Sequence, residues 1–314
     1  MTVTVRAFAS GDEELLLEVW NASLPGDPTT MAWVRDCVLL DPNFDPEGLR
    51  VAVADGRVVG CAYAVRRLMP LAPGTGLDPE TGWIPFFFVA PEHRGGGLGR
   101  RLLTEALDFL RGHGRTRIDF GSYTPHYVWP GVDAALYPDG FGLLRDLGFR
   151  PVDTPVAMDR TLVGYMMPPE VRDLLAKRES DGYVFGRPAV GDLPELIRFA
   201  AERFNPDWGE AIRAHRDPER MVLARSPEGR LAGFALYAAY RGIAERFGPF
   251  GVDERERGTG LGKVILHLAM TRMRAEGLHS SWFLWTGECS PAGNLYTRAG
   301  YHVTRRFHMM RWEG

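Results

Sequence analysis

One phrase occurs twice in this chain and constrains it more than any other feature. Residues 89–99 read Val-Ala-Pro-Glu-His-Arg-Gly-Gly-Gly-Leu-Gly, and residues 252–262 read Val-Asp-Glu-Arg-Glu-Arg-Gly-Thr-Gly-Leu-Gly. Each copy follows an apolar, aromatic run and leads into a helical pattern. Leu98, Leu102, Ala106 and Phe109 share one helix face, as do Leu261, Ile265, Leu268 and Ala269. A glycine turn that opens a helix leaves backbone N–H groups without intrahelical acceptors, and such groups bind phosphate. The chain must therefore accommodate two strand–turn–helix units about one domain length apart. Its 314 residues suit two domains of roughly 100–200 residues better than a single core.

The repeat extends beyond the turns. A strand pattern at Val3–Phe8 and a helical pattern at Asp12–Asn21 are answered by Tyr183–Arg187 and Asp192–Arg203, with Ser10 and Asp192 expected as helix caps. Hairpins follow. Leu49–Ala54 and Arg57–Val65 flank Asp55-Gly56, while Met221–Arg225 and Arg230–Tyr240 flank Glu228-Gly229. Strands Trp83–Val89 and Glu245–Val252 lead into the glycine turns. A helix ending in Leu147-Gly148-Phe149 or Ala299-Gly300-Tyr301 comes next, then a closing strand, Val156–Asp159 or Arg306–Arg311. Residues 161–182 have no counterpart; they hold Met167-Pro168-Pro169 and then a charged helical stretch and read as a linker, so the expected domains are 1–160 and 183–314. The segments 23–48 and 66–82, richer in Pro, Gly and Asp, read as substrate-side loops or short helices.

Composition narrows the partners. A net charge of −3 supplies no basic field for nucleic acid or anionic lipid. Cys37, Cys61 and Cys289 are scattered and odd in number, which suggests neither a disulfide framework nor a metal site. Met1 leads straight into a strand pattern without a charged-then-apolar leader, and no apolar run approaches the roughly 20 residues of a membrane span. The expectation is a cytoplasmic protein with no membrane or nucleic-acid partner. Other phosphate motifs fit poorly. No Lys-Ser or Lys-Thr completes a Walker loop, and the glycines are spaced Gly-x-Gly-x-Gly rather than Gly-x-Gly-x-x-Gly.

The pattern Arg-x-x-Gly-x-Gly between strand and helix resembles the pyrophosphate loop of the GNAT acyltransferases. Arg94, Gly97 and Gly99 fit it, as do Arg257, Gly260 and Gly262. The order of elements is similar to that family over nearly the whole chain outside 161–182, and the duplication resembles its tandem two-domain type. The resemblance implies an α/β (α+β) fold, two tandem GNAT-like domains, each a mixed, mostly antiparallel sheet flanked by helices. It implies acetyl-CoA or coenzyme A as ligand. The contacts would come from Arg94, Gly95, Gly96, Gly97, Leu98, Gly99 and Arg100, and from Arg257, Gly258, Thr259, Gly260, Leu261, Gly262 and Lys263. Each charge-assisted bond to a diphosphate contributes about 1.5–3 kcal/mol, and the helix dipole adds about 0.3–1 kcal/mol. In the family the strand before the turn splays from its neighbour, so its amides face the thioester. By position these are the amides of Phe87 and Val89 and of Phe250 and Val252.

The resemblance also implies a tyrosine facing the coenzyme sulfur four residues before the helix-ending glycine. Tyr296 stands there, with Ala292 at the usual small-residue place. A phenol is protonated at neutral pH and can donate to a departing thiolate. The first copy has Leu144 at this position, which cannot transfer a proton. Cys289 replaces an asparagine common in the family and reads as a small buried residue rather than a nucleophile. The base that neutralises an attacking amine is open between Glu245 and Glu288, and a solvated carboxylate is the plainer reading of both. His267 and His279 read as surface residues of a helix and a turn. Trp83, Phe86, Phe87, Phe88, Trp282, Phe283 and Trp285 read as core, and Tyr123, His126, Tyr127 and Trp129 as a pocket lining or a seam.

The expected activity is transfer of an acyl group, acetyl by preference, from coenzyme A to the primary amine of a small molecule by direct attack in a ternary complex. The active centre is expected in the second half, with catalytic Tyr296 and Glu245. Two alternatives stand: a sensor that binds acetyl-CoA without chemistry, and catalysis in the first half using Tyr137 or Tyr123. Either a monomer or a homodimer is compatible with a tandem pair.

Overall fold

The structure is a computed structural model that describes residues 3–215 and 217–314. The chain divides into two compact units. The first comprises Met1–Pro155 with Arg306–Gly314, and the second is Val156–Arg305.

The first unit opens with β1 (Val3–Ala7), α1 (Glu13–Ser23) and the short α2 (Met31–Val34). Next come β2 (Leu49–Ala54), β3 (Arg57–Val65), β4 (Thr81–Val89), α3 (Leu98–Gly112), β5 (Arg117–Phe120), α4 (Pro138–Asp146) and β6 (Arg150–Asp153). Strands β1 to β4 form an antiparallel meander, and β5 adds parallel to β4. Alternation in β4 explains its aromatic run. Phe86 and Phe88 meet Trp20 of α1 on one face, while Phe87 turns to the other and meets Phe120. On that second face α3 buries Leu98, Leu102, Leu103, Ala106, Leu107 and Leu110 against Ala62, Ile84 and Ile118. Burial of each such leucine stabilises by about 1.5–3 kcal/mol. The first helix begins at Glu13, with Asp12 rather than Ser10 preceding it; Asp12 accepts from the Ala9 amide and from Arg6.

The second unit contains β7 (Pro155–Thr161), α5 (Pro169–Ser180), β8 (Val184–Gly186), α6 (Leu193–Arg203), α7 (Pro206–Ala214), β9 (Met221–Arg225) and β10 (Leu231–Tyr237). It continues with β11 (Phe247–Val252), α8 (Leu261–Ala275), β12 (Ser280–Gly287), α9 (Pro291–Arg298) and β13 (His302–Arg306). Strands β8 to β11 form one antiparallel sheet, and β12, β7 and β13 form another with β7 central. One isolated parallel bridge, Arg246 to Trp282, links them. On one face α8 buries Leu261, Ile265, Ala269 and Met273 against Val222, Ala224 and Ala235. On the other, Leu196, Ala200 and Ile212 pack on Leu223 and Phe234.

Two features correct the domain ranges drawn from the repeat. The closing strands are exchanged. Strand β7, which follows the first repeat, joins the second unit, and β14 (Met309–Glu313) inserts between β5 and β6 of the first. Alternation identifies a strand but leaves its partner open, and Phe307 donates to the Pro155 carbonyl at 2.9 Å where the chain turns back. The supposed linker 161–182 contains α5, which begins with Pro169 in its first turn and buries Val171. Among the described residues, no helix is long and apolar enough to cross a membrane.

Candidate active site

In both units the register aims backbone amides into an open gap. The Asp253 amide donates to Ala232, so Asp253 and Gly251 face β10 and the amides of Phe250 and Val252 face away from it. On that far side, among the described residues, the backbone pairs with β12 through the isolated Arg246–Trp282 bridge just ahead of Phe247. In the first unit Ala90 donates to Val59, which turns Phe87 and Val89 away from β3, and the pairing of β4 with β5 stops at Ile84 and Phe120. A register shift lies between Tyr63 and Val65 in one unit and between Ala235 and Tyr237 in the other. These bulges set the parity of the strand above them.

Tyr296 lies on α9, whose first turn is capped by Ser290 accepting from the Gly293 amide. Its ring packs against Phe283 (4.4 Å between centroids), Tyr301 (5.5 Å), Phe250 (6.1 Å) and Phe247 (6.2 Å). Burial among these rings, with Tyr301 nearby, pushes the phenol well above its ordinary range, so it keeps its proton. The hydroxyl makes no hydrogen bond among the described residues. Its counterpart Leu144 is fully buried on α4.

Glu245 sits ahead of β11, and its Oε1 accepts from the amides of His279 (3.0 Å) and Ser280 (3.2 Å). Partial burial raises its carboxyl, but those amides outweigh it and hold the group below the usual carboxylate range. The carboxylate thus anchors the start of β12.

The two glycine turns share left-handed positions, Gly95 and Gly97 in one and Gly258 and Gly260 in the other, all near φ +80°. Their donors differ. From Gly95 to Arg100 the backbone N–H groups meet no acceptor among the described residues. In the second turn those of Gly258, Gly260, Gly262 and Lys263 are likewise open, but Thr259 donates to the Glu256 carbonyl and Leu261 to the Thr259 hydroxyl, both at 3.2 Å.

The arginines differ as well. Arg94 donates from Nε to the Val89 carbonyl (3.0 Å) and from Nη2 to that of Ser23 (2.9 Å). The Arg257 side chain is 83% exposed and lies 3.9 Å from Glu254. Arg100 pairs with Asp146 at the surface, and Lys263 lies 3.9 Å from Glu170.

Several expectations need correction. Cys289 is exposed, because β12 ends at Gly287 and the turn before α9 carries the cysteine outward. His267 is buried on the inner face of α8, its Nδ1 2.8 Å from the Tyr165 hydroxyl. Trp285 is 37% exposed near the end of β12 rather than core. The alternative acids of the first unit are both engaged. The Tyr123 hydroxyl is buried and accepts from Asn43, and the Tyr137 hydroxyl donates to Asp27. The charged helical stretch of the expected linker forms α5, and what sequence reasoning missed is that this helix rests on the second turn. Its helical pattern was visible, but nothing local names its partner.

Comparison with known proteins is consistent with this geometry. The acetyltransferase (GNAT) family matches residues 14–125 and again 191–301. A mycothiol acetyltransferase of Clavibacter michiganensis subsp. michiganensis is 28% identical over 276 residues, 84% of this chain and 79% of its own. One of Stackebrandtia nassauensis is 40% identical over 118 residues, 36% of each chain. A solved GCN5-related glucosamine N-acetyltransferase region of a fungal multi-domain β-N-acetylglucosaminidase superposes with a TM-score of 0.81 at 21% identity, covering 99% of this chain and 38% of that one. This last likeness concerns the fold.

Proposed function

Because the chain belongs to the GNAT acetyltransferase family, we propose that its second unit passes the acetyl group of acetyl-CoA directly to a primary amine within a ternary complex. The open amides of Gly258, Gly260, Gly262 and Lys263, with Arg257, receive the diphosphate. The amides of Phe250 and Val252 polarise the thioester carbonyl and hold the oxyanion that forms when the amine adds to its carbon. As the tetrahedral adduct collapses, the carbon–sulfur bond breaks and Tyr296 gives its proton to the leaving thiolate. The acceptor nitrogen loses a proton to solvent, and Tyr296 regains one from solvent to complete the cycle. Glu245 is a poor acceptor for it, being engaged by two amides.

One observation carries this reading: a tyrosine whose ring is buried against Phe250 beside the unpaired edge of β11, and whose hydroxyl makes no hydrogen bond among the described residues. Tyr296→Phe is expected to lower kcat by about 10²-fold while acetyl-CoA affinity stays within twofold, as measured by thiol release and calorimetry. Turnover at the parental rate would overturn the assignment. The first unit, with open turn amides and Leu144 in place of the acid, reads as a coenzyme-binding unit without turnover. The relatives are named mycothiol acetyltransferases, so a thiol-bearing amine is the first acceptor to assay.

A further inference from the structure

The helix α5 has no counterpart in the first repeat, and it lies on the second glycine turn. Arg178 Nε donates to the Thr259 carbonyl at 2.8 Å. The carbonyl and N–H of one trans peptide point in opposite directions. Holding the Thr259 carbonyl toward α5 therefore turns the Gly260 N–H away from the helix, and that N–H is one of the open donors. Leu174 acts on the same residue. A Cβ built on Gly260 would come within 2.8 Å of Leu174 Cδ2, whereas one built on Gly97 meets nothing within 4 Å. Arg178 is itself fixed, with Nη1 donating to Asp181 at 2.7 Å and only 18% of its side chain exposed. Below the turn, the Tyr183 hydroxyl donates to Glu256 at 2.6 Å, and the Glu256 carbonyl accepts from both the amide and the hydroxyl of Thr259.

The first turn is supported in another way. There the motif's own arginine, Arg94, ties down the Val89 and Ser23 carbonyls. In the second turn the supporting guanidinium comes from α5, and Arg257 stands out in solvent. We propose that α5 is a built-in brace of the coenzyme turn. Arg178 is a positioning residue that aims the Gly260 N–H at the diphosphate and takes over the supporting role of Arg94, leaving Arg257 to bind the ligand. This inference rests on the reading that the second turn holds the coenzyme.

The test uses the full chain carrying Gly96→Glu, which places a carboxylate in the first turn. Gly96 lies outside the left-handed region and a side chain there meets nothing within 4 Å. On this background Arg178→Ala is expected to raise the KM for acetyl-CoA about tenfold, with kcat at saturation within twofold. The kcat/KM for S-acetylpantetheine, which lacks the diphosphate, should not change. Arg178→Lys, which restores a donor, should recover part of the loss. Arg178→Met keeps the aliphatic length without the donor and gives the same readout should the alanine variant not fold. An unchanged KM, or an equal loss with S-acetylpantetheine, overturns the brace. Thr259→Glu separates the two claims. If it leaves the acetyl-CoA KM unchanged, the second turn is not the coenzyme site and the underlying reading fails. If it abolishes binding while Arg178→Ala behaves as the parent, the brace alone fails.

Discussion

The two glycine turns have nearly the same letters and different physical supports. The first is held by its own arginine, presents every amide from Gly95 to Arg100, and its unit has Leu144 at the position of Tyr296. The second is held from outside by α5, closes two of its amides on Glu256 and Thr259, leaves its arginine exposed, and belongs to the unit that carries Tyr296. A phosphate-loop phrase thus specifies which backbone groups can be offered. It leaves undecided what keeps them aimed, and that support is what differs between the two turns.

The sharpest way to break this comparison is to block each turn separately. Thr259→Glu should lower kcat/KM by more than about 100-fold, since juxtaposed like charges cost several kcal/mol, whereas Gly96→Glu should leave most turnover. The reverse pattern would move the active centre to the first unit. A smaller contrast comes from the arginines. Arg257→Ala should weaken coenzyme binding about tenfold, more at low salt, without lowering the melting temperature. Arg94→Ala should lower the stability of the first unit by about 1 kcal/mol and leave turnover near the parental value. Equal effects from both would erase the distinction.

A third contrast is pH dependence. Burial, with Arg160 and Lys263 nearby, lowers the His267 pKa from 6.5 to about 4. The unfolded chain gains a proton at this residue below about pH 6.5, while the folded unit stays neutral. Stability from this site is therefore complete above pH 6.5 and declines as pH falls toward 4. Hydrogen exchange between pH 6.5 and 5 should show α8 losing protection faster than α3, and His267→Gln should remove the difference. The smallest expected effect is on Glu245→Gln, which keeps an oxygen for the His279 and Ser280 amides. Turnover should change less than about threefold, and a hundredfold fall would restore Glu245 as the general base.

Much of the fold was legible locally. Strands β2, β3 and β9 begin and end where alternation and the acidic-Gly turns place them. The glycine turns open helices at Leu98 and Leu261, and the tyrosine before Gly300 reaches the aromatic pocket beside β11. These features are set by neighbouring residues: side-chain alternation, the conformational freedom of glycine and the 3.6-residue period act within one element. The exchange of β7 and β14, the seat of α5 on Gly260, the bonds that occupy Arg94, the burial of His267 and the exposure of Cys289 were decided by tertiary structure alone. Each depends on which distant segment fills a particular space or meets a particular carbonyl, and a strand edge or helix face carries no local record of its partner.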